Sequence, residues 1–211
     1  MLATMSPSTR ALRLVAAACL SGLVAAAVVG LGRWSPPPIP VHGGESFAEP
    51  VLLLVPDYRQ DDPAWAAETI GGSQEAVKLV GCALSSAAMV ATYLGVPCTP
   101  SELNRRLKTI DGYTPRGWLR WQAVAEASEG RLRLTYAGGP DHQRLDSSLR
   151  AGVPAIVRVP LGALGHWVVV VGKRGRDYLI NDPLGQQPSP VPLASIADRI
   201  LAMRIYHAGP W

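Results

Sequence analysis

The sequence predicts an α+β domain in which early helices pack on a mostly antiparallel sheet. Two patterns carry this expectation. Helical signals crowd residues 82–150, and branched apolar runs separated by turn signals dominate after Gly152. Helices and strands segregated in this way mark an α+β arrangement rather than alternating parallel units. With 211 residues, 48% of them apolar and 17% charged, the chain can bury a sizeable core and is not of disordered composition.

Taken in order, Arg10 and Arg13 precede an uncharged apolar run over residues 14–32, which Arg33 closes. As a helix that run would be roughly 28 Å long, close to a bilayer core. Residues 1–33 read as a signal anchor held by the flanking arginines, or as a signal peptide cleaved at Ala25-Ala26-Ala27. The apolar stretch continues through Val28, Val29 and Leu31, which favours the anchor. Either reading puts the remaining chain outside the cytoplasm, membrane-anchored or secreted. Residues 34–50 hold Ser35-Pro36-Pro37-Pro38-Ile39-Pro40 and Gly43-Gly44 and are expected to form an extended spacer. The folded domain is then expected over residues 51–211, with His42 solvated in the spacer.

Within that domain, residues 51–55 read as a strand, residues 57–65 as a loop and Gly71-Gly72-Ser73 as a turn. Residues 82–94 read as a helix, opened after Gly81 and stopped by Gly95 with Pro97 beyond. Ala83, Ser85, Ser86, Ala87, Ala88 and Ala91 keep it small on nearly every side, as suits a central helix. Thr99-Pro100-Ser101-Glu102 joins a cap, a first-turn proline and a capping box, and starts a helix that ends before Asp111-Gly112. Trp118, Trp121 and Ala125 recur at helical spacing up to Gly130 and read as core rather than as a binding stripe. Residues 131–136 alternate as a strand, and residues 141–150 form a short helix with Leu145 and Leu149 on one face. Residues 153–159, 166–171 and 178–180 read as strands, the last two joined in a hairpin by Lys173-Arg174-Gly175-Arg176. A short helix near residues 194–198 and a strand over residues 200–207 complete the domain.

Cys82 is the residue best placed for chemistry. At the first turn of a helix, unpaired N–H groups and the helix dipole favour the thiolate, which is the nucleophilic form. Geometry argues against a disulfide to Cys98. The two residues flank a helix, so their Cα atoms lie well over ~10 Å apart, against a limit of about 7 Å for bridging. Cys98 is then a free or buried thiol. His166 begins a very apolar strand, and Asp182 follows sixteen residues later at the end of the next. A hairpin brings the two side by side, so the carboxylate can fix the imidazole tautomer and stabilise imidazolium. Asn181 points to the opposite face. Together the three residues supply a nucleophile, a base and an orienting group.

Val80-Gly81-Cys82-Ala83-Leu84-Ser85-Ser86-Ala87-Ala88-Met89, Gly165-His166-Trp167-Val168-Val169-Val170 and Leu179-Ile180-Asn181-Asp182-Pro183 resemble the bacteriocin-processing, double-glycine leader peptidase family. The likeness is greatest to its stand-alone members without a transporter, and it covers roughly residues 51–185. Tyr58-Arg59-Gln60-Asp61 and Trp65 look like the family's first motif. The resemblance implies a papain-like fold with Cys82 as nucleophile, His166 as base, Asp182 as orienting residue and Gln60 as oxyanion donor. Ala83 departs from the glycine that many members have. Position alone leaves Gln74 open as the donor, since papain-like enzymes usually place it shortly before the cysteine; the motif favours Gln60.

Other chemistries find no support. The net charge of +4 is modest and the basic residues are scattered, so no nucleic-acid partner is expected. There is no Gly-x-Ser-x-Gly, His-Glu-x-x-His, phosphate loop or Cys-x-x-Cys, and neither a cofactor nor a metal is expected. His142 and His207 read as structural or solvated. The expected function is cysteine-type hydrolysis of a peptide or protein substrate through a thioester, outside the cytoplasm, with the N-terminal helix in the membrane. The competing expectation is an inactive papain-like module that binds a peptide or cell-wall polymer.

Overall fold

The computed structural model describes residues 36–162 and 164–209. Five helices are present among them: α1 (Val77–Val80), α2 (Cys82–Tyr93), α3 (Pro100–Thr109), α4 (Trp121–Glu126) and α5 (His142–Arg150). The strands are β1 (Ile39–Pro40), β2 (His42–Leu52), β3 (Leu132–Gly138), β4 (Ala155–Leu161), β5 (Leu164–Asn181), β6 (Val191–Pro192), β7 (Arg199–Ile200) and β8 (Ala202–Ala208). A 3-10 turn over Leu193–Ser195 stands where a short helix is expected. The α3 start is as its sequence predicts. Glu102 N–H donates to the Thr99 hydroxyl at 3.2 Å, and Thr99 N–H donates to the Glu102 carboxylate at 2.8 Å.

The main sheet is antiparallel throughout, in the order β2-β5-β4-β8-β3, with β6 also on β5. β5 is extended over its whole length, yet it cannot be straight. Between residues 166 and 182 a straight strand would span roughly 50 Å, whereas the side chains of His166 and Asp182 meet at 2.6 Å. The segment therefore doubles back, with Gly175 at φ 57° near the exposed tip. This is the hairpin that the sequence predicts.

Period-two alternation divides the buried residues between two cores. Ile156, Val169 and Tyr206 face α2, α3 and α4, where they meet Leu84, Met89 and Leu107. Val157, Val168 and Ile180 face the other way, against Leu145 and Leu149 of α5. From Leu84 to Ala91 the residues of α2 are all buried, so this small-residue helix is central as expected.

Residues 36–50 correct the expected spacer. The folded unit begins at Pro36, β1 pairs with β7, and β2 forms an edge of the main sheet. Val41 and Phe47 are buried. Pro50 is tolerated because β2 is an edge strand, and it falls in an interval where the pairing register shifts. What holds the segment is Lys173, expected in an exposed turn but 0% exposed. Its Nζ donates to Gly43 O at 2.8 Å and to Asp146 Oδ1 at 2.5 Å. Asp146 also accepts from Glu45 N–H at 2.8 Å and from the Tyr178 hydroxyl at 2.8 Å. The ion pair thus ties β2, α5 and β5 together.

The signal anchor or signal peptide expected over residues 1–33 lies outside the described residues. Among the described residues, no helix is long and apolar enough to cross a membrane.

Candidate active site

Cys82 is the first residue of α2 and Gly81 its N-cap. A Cβ on Gly81 would strike the Val77 carbonyl, so only glycine lets α1 end and α2 begin in so short a space. The thiol emerges half-buried at the positive end of the helix dipole. Among the described residues the Cys82 N–H has no backbone acceptor, as is usual for the first turn of a helix.

His166 lies on the outgoing arm of β5, opposite Val159 of β4, and is 3% exposed. Asp182 follows the returning arm. His166 Nε2 and Asp182 Oδ1 are 2.6 Å apart, and Leu184 N–H donates to the same oxygen at 2.9 Å. Nδ1 is buried without a well-formed hydrogen bond. It is the ring edge left for Cys82, whose thiol acts on the imidazole. Burial by itself would push the imidazole pKa down. The hydrogen bond to Asp182 and the nearby Cys82, with the charges of both, outweigh it and raise the value from 6.5 to about 9. For Asp182, burial pushes upward, but the hydrogen bond and charge of His166, the Leu184 N–H and the Arg59 charge hold the carboxyl below its ordinary 3.8.

Asn181 turns the other way, and its Nδ2 donates to Val55 O at 3.0 Å. It braces the chain leading to Gln60. Gln60 N–H donates to Pro183 O at 3.0 Å, and the indole of Trp65 donates to Arg59 O at 2.7 Å. The Gln60 side chain is 1% exposed. Its Nε2 donates to Lys78 O at 2.7 Å, and Oε1 is buried without a partner. One amide proton of Nε2 is thereby left for another acceptor. Gln60, Cys82 and His166 line one cavity of about 500 Å³. Gln74 is exposed and does not line it. The structure thus brings Cys82, His166, Asp182 and Gln60 together and leaves Gln74 outside.

Cys98 is buried in the core beside Thr92, and among the described residues Cys82 and Cys98 form no disulfide. Burial pushes its thiol pKa up. His142 Nδ1 meets the Tyr178 hydroxyl at 3.1 Å, and His207 Nδ1 meets Thr135 at 2.8 Å. Among the described residues, no group of three or more His, Cys, Asp or Glu side chains is placed to hold a metal ion.

Sequence reasoning missed the walls of the cavity. Trp118, expected in the core, is 64% exposed, lies before α4 and lines the opening. Trp121 and Trp167 pack edge to face with ring centres 4.5 Å apart and also line it, as do Arg158 and Arg204. The helical spacing of Trp118 and Trp121 misled because Gly117, at φ 75°, turns the chain between two bridged residues, Tyr113 and Leu119.

Helices laid on an antiparallel sheet in this way make an α+β papain-like fold, one shared by many cysteine peptidases, which are hydrolases. The chain belongs to the Peptidase_C39 like family, whose model matches residues 53–199. A crystal structure of a C39-like peptidase from Bacillus anthracis has a TM-score of 0.48 and 16% identity, covering 77% of this chain and 100% of that one. No curated protein matches the chain.

Proposed function

We propose that the protein hydrolyses a peptide bond by thiol catalysis, with Cys82 as nucleophile, His166 as acid and base, Asp182 as orienting residue and Gln60 as oxyanion donor. One observation carries the reading: a single imidazole is held at Nε2 by Asp182, 2.6 Å away, and lines one cavity with a thiol at a helix N-terminus. With its pKa raised to about 9, His166 holds its proton at neutral pH, the form that can protonate a leaving amine. The thiolate attacks the scissile carbonyl carbon and forms the C–S bond. Negative charge on the carbonyl oxygen is met by the free Nε2–H of Gln60 and the Cys82 N–H. Collapse breaks the C–N bond, and His166 passes its proton to the departing amine. Water then cleaves the thioester with His166 as base.

A peptide substrate suits the cavity because its rim is apolar. Leu79, Val80, Trp118 and Leu161 are exposed large hydrophobics that line it, a surface for substrate side chains rather than for bulk water. The apolar run over residues 14–32 supports action outside the cytoplasm, at or near a membrane. The test is labelling with an electrophilic thiol probe, followed by mass spectrometry of a peptide library. With Cys19 replaced by Ser throughout, labelling is expected to vanish in Cys82→Ala and persist in Cys98→Ala, with cleavage lost where labelling is lost. Labelling that survives Cys82→Ala, or a labelled protein that cleaves no peptide, would return the chain to the binding-module reading.

A further inference from the structure

Two arginines in the cavity wall have no role in the chemistry above. Arg158 of β4 stands opposite Trp167 of β5 and Ala202 of β8, and Arg204 of β8 stands opposite Ile156 of β4. By strand alternation Arg158 and Arg204 therefore project from the same face of the sheet as diagonal neighbours on adjacent strands. That face also carries Trp167, whereas His166, next in the chain, pairs with Val159 and alternates to the other face. Both arginines line the cavity that holds Cys82 and His166.

Neither arginine is in a salt bridge among the described residues. The groups whose charge Arg204 feels are Tyr206, Tyr136 and Arg158, none of them a carboxylate. Like charges directed at one place without a counter-ion oppose folding, so some other gain must hold them there. Stacking supplies part of it for Arg204, whose guanidinium carbon lies 5.3 Å from the Trp121 ring centre and 5.0 Å from that of Trp167. Stacking uses the face of a guanidinium and leaves its in-plane N–H groups unmet. Nη1 donates to Met203 O at 2.7 Å and to Gly138 O at 3.4 Å, while Nε is buried with no partner.

Arg158 is exposed, and its head lies over Gly165. A Cβ at position 165 would collide with the guanidinium. The guanidinium thus lies against the backbone immediately before His166. A planar fork of donors beside a second fork, with indole walls and no internal anion, matches a carboxylate.

We propose that Arg158 and Arg204 form a carboxylate subsite that takes either an acidic side chain or the C-terminal carboxylate of a substrate peptide. The proposal deepens the peptidase reading and rests on it for the identity of the ligand. Its test uses the full chain carrying Cys82→Ala, with binding of fluorescent peptides followed by anisotropy. Matched peptides carry Glu or Gln at each position around one bond, and end in a free acid or an amide. Charge-assisted hydrogen bonds predict that one carboxylate-bearing peptide binds about tenfold or more tighter than its neutral partner. A Glu/Gln difference identifies the side chain as the source; an acid/amide difference identifies the chain end.

Arg158→Gln is expected to bring the acid-to-neutral ratio towards one. Arg158→Glu is expected to invert it in favour of a Lys-bearing peptide. Because Arg158 is exposed, these variants test the subsite even if Arg204→Gln, with its buried stacking, fails to fold. Equal affinity for every matched pair, or a ratio unchanged in Arg158→Gln, overturns the proposal. Turnover of the same peptides by the unmodified chain separates the two readings. A carboxylate preference without cleavage upholds the subsite and sinks the peptidase, whereas cleavage indifferent to charge sinks the subsite alone.

Discussion

Replacing Asp182 with Asn tests how the imidazole is kept charged. The shift of His166 from 6.5 to about 9 corresponds to about 3 kcal/mol of preference for imidazolium over imidazole. An amide at position 182 can still accept from Nε2–H, so orientation is kept while the charge is lost. Loss of an adjacent opposite charge moves a pKa by about 1–3 units, and the Cys82 contribution remains. At a fall of about two units, the protonated fraction at pH 8 drops from roughly nine-tenths to one-tenth. The alkaline limb of the kcat/KM profile should therefore move from near 9 towards neutrality, with a loss at pH 8 about tenfold greater than at pH 6. The sign for stability follows. Because His166 is raised above its ordinary value, its pairing stabilises fully below pH 6.5 and is lost as pH rises through about 9. Asp182, being lowered, stabilises above 3.8 and ceases to do so as pH falls below that. The assays are kcat/KM against pH and an NMR titration of the His166 ring. An alkaline limb unmoved in Asp182→Asn would refute the reasoning.

Gln60→Ala should lower kcat by about 10²–10³-fold, the usual loss for one oxyanion donor, in a chain that still folds. Gln74→Ala should leave steady-state kinetics near those of the unmodified chain, and the reverse ranking would overturn the assignment. Lys173→Met leaves the Asp146 carboxylate buried with two of its donors, a loss of about 3–5 kcal/mol, or about 6–20 °C in melting temperature for a domain of this size. Pairing it with Asp146→Leu should recover much of that loss, and strict additivity of the two changes in urea denaturation would show that the pair is not coupled.

Much of the site was legible because its signals are local. Gly81 before Cys82 marks a helix entrance, Thr99-Pro100-Ser101-Glu102 writes its own cap, and the apolar arms around Gly175 imply a turn that brings residues 166 and 182 together. What stayed hidden depends on distant partners. Nothing near Lys173 shows that Asp146 and Gly43 will close around it, so a lysine in a turn reads as solvated and a proline-rich strand reads as a spacer. Trp118 and Trp121 share a spacing that a helix would use, and only the turn at Gly117 separates their fates. Arg158 and Arg204 become neighbours through pairing of β4 with β8, which their own surroundings do not announce.

The place of β2 at the edge of the sheet sets a limit on proteolytic trimming. A cut upstream of residue 36 leaves the sheet whole. A cut near Pro50, where composition alone would put a boundary, strips away Val41 and Phe47, removes the Gly43 and Glu45 contacts of the buried ion pair and bares a row of β5 amides and carbonyls. An uncovered row of that kind is a template for pairing with another chain. Shortened versions that begin at Pro50 should therefore self-associate.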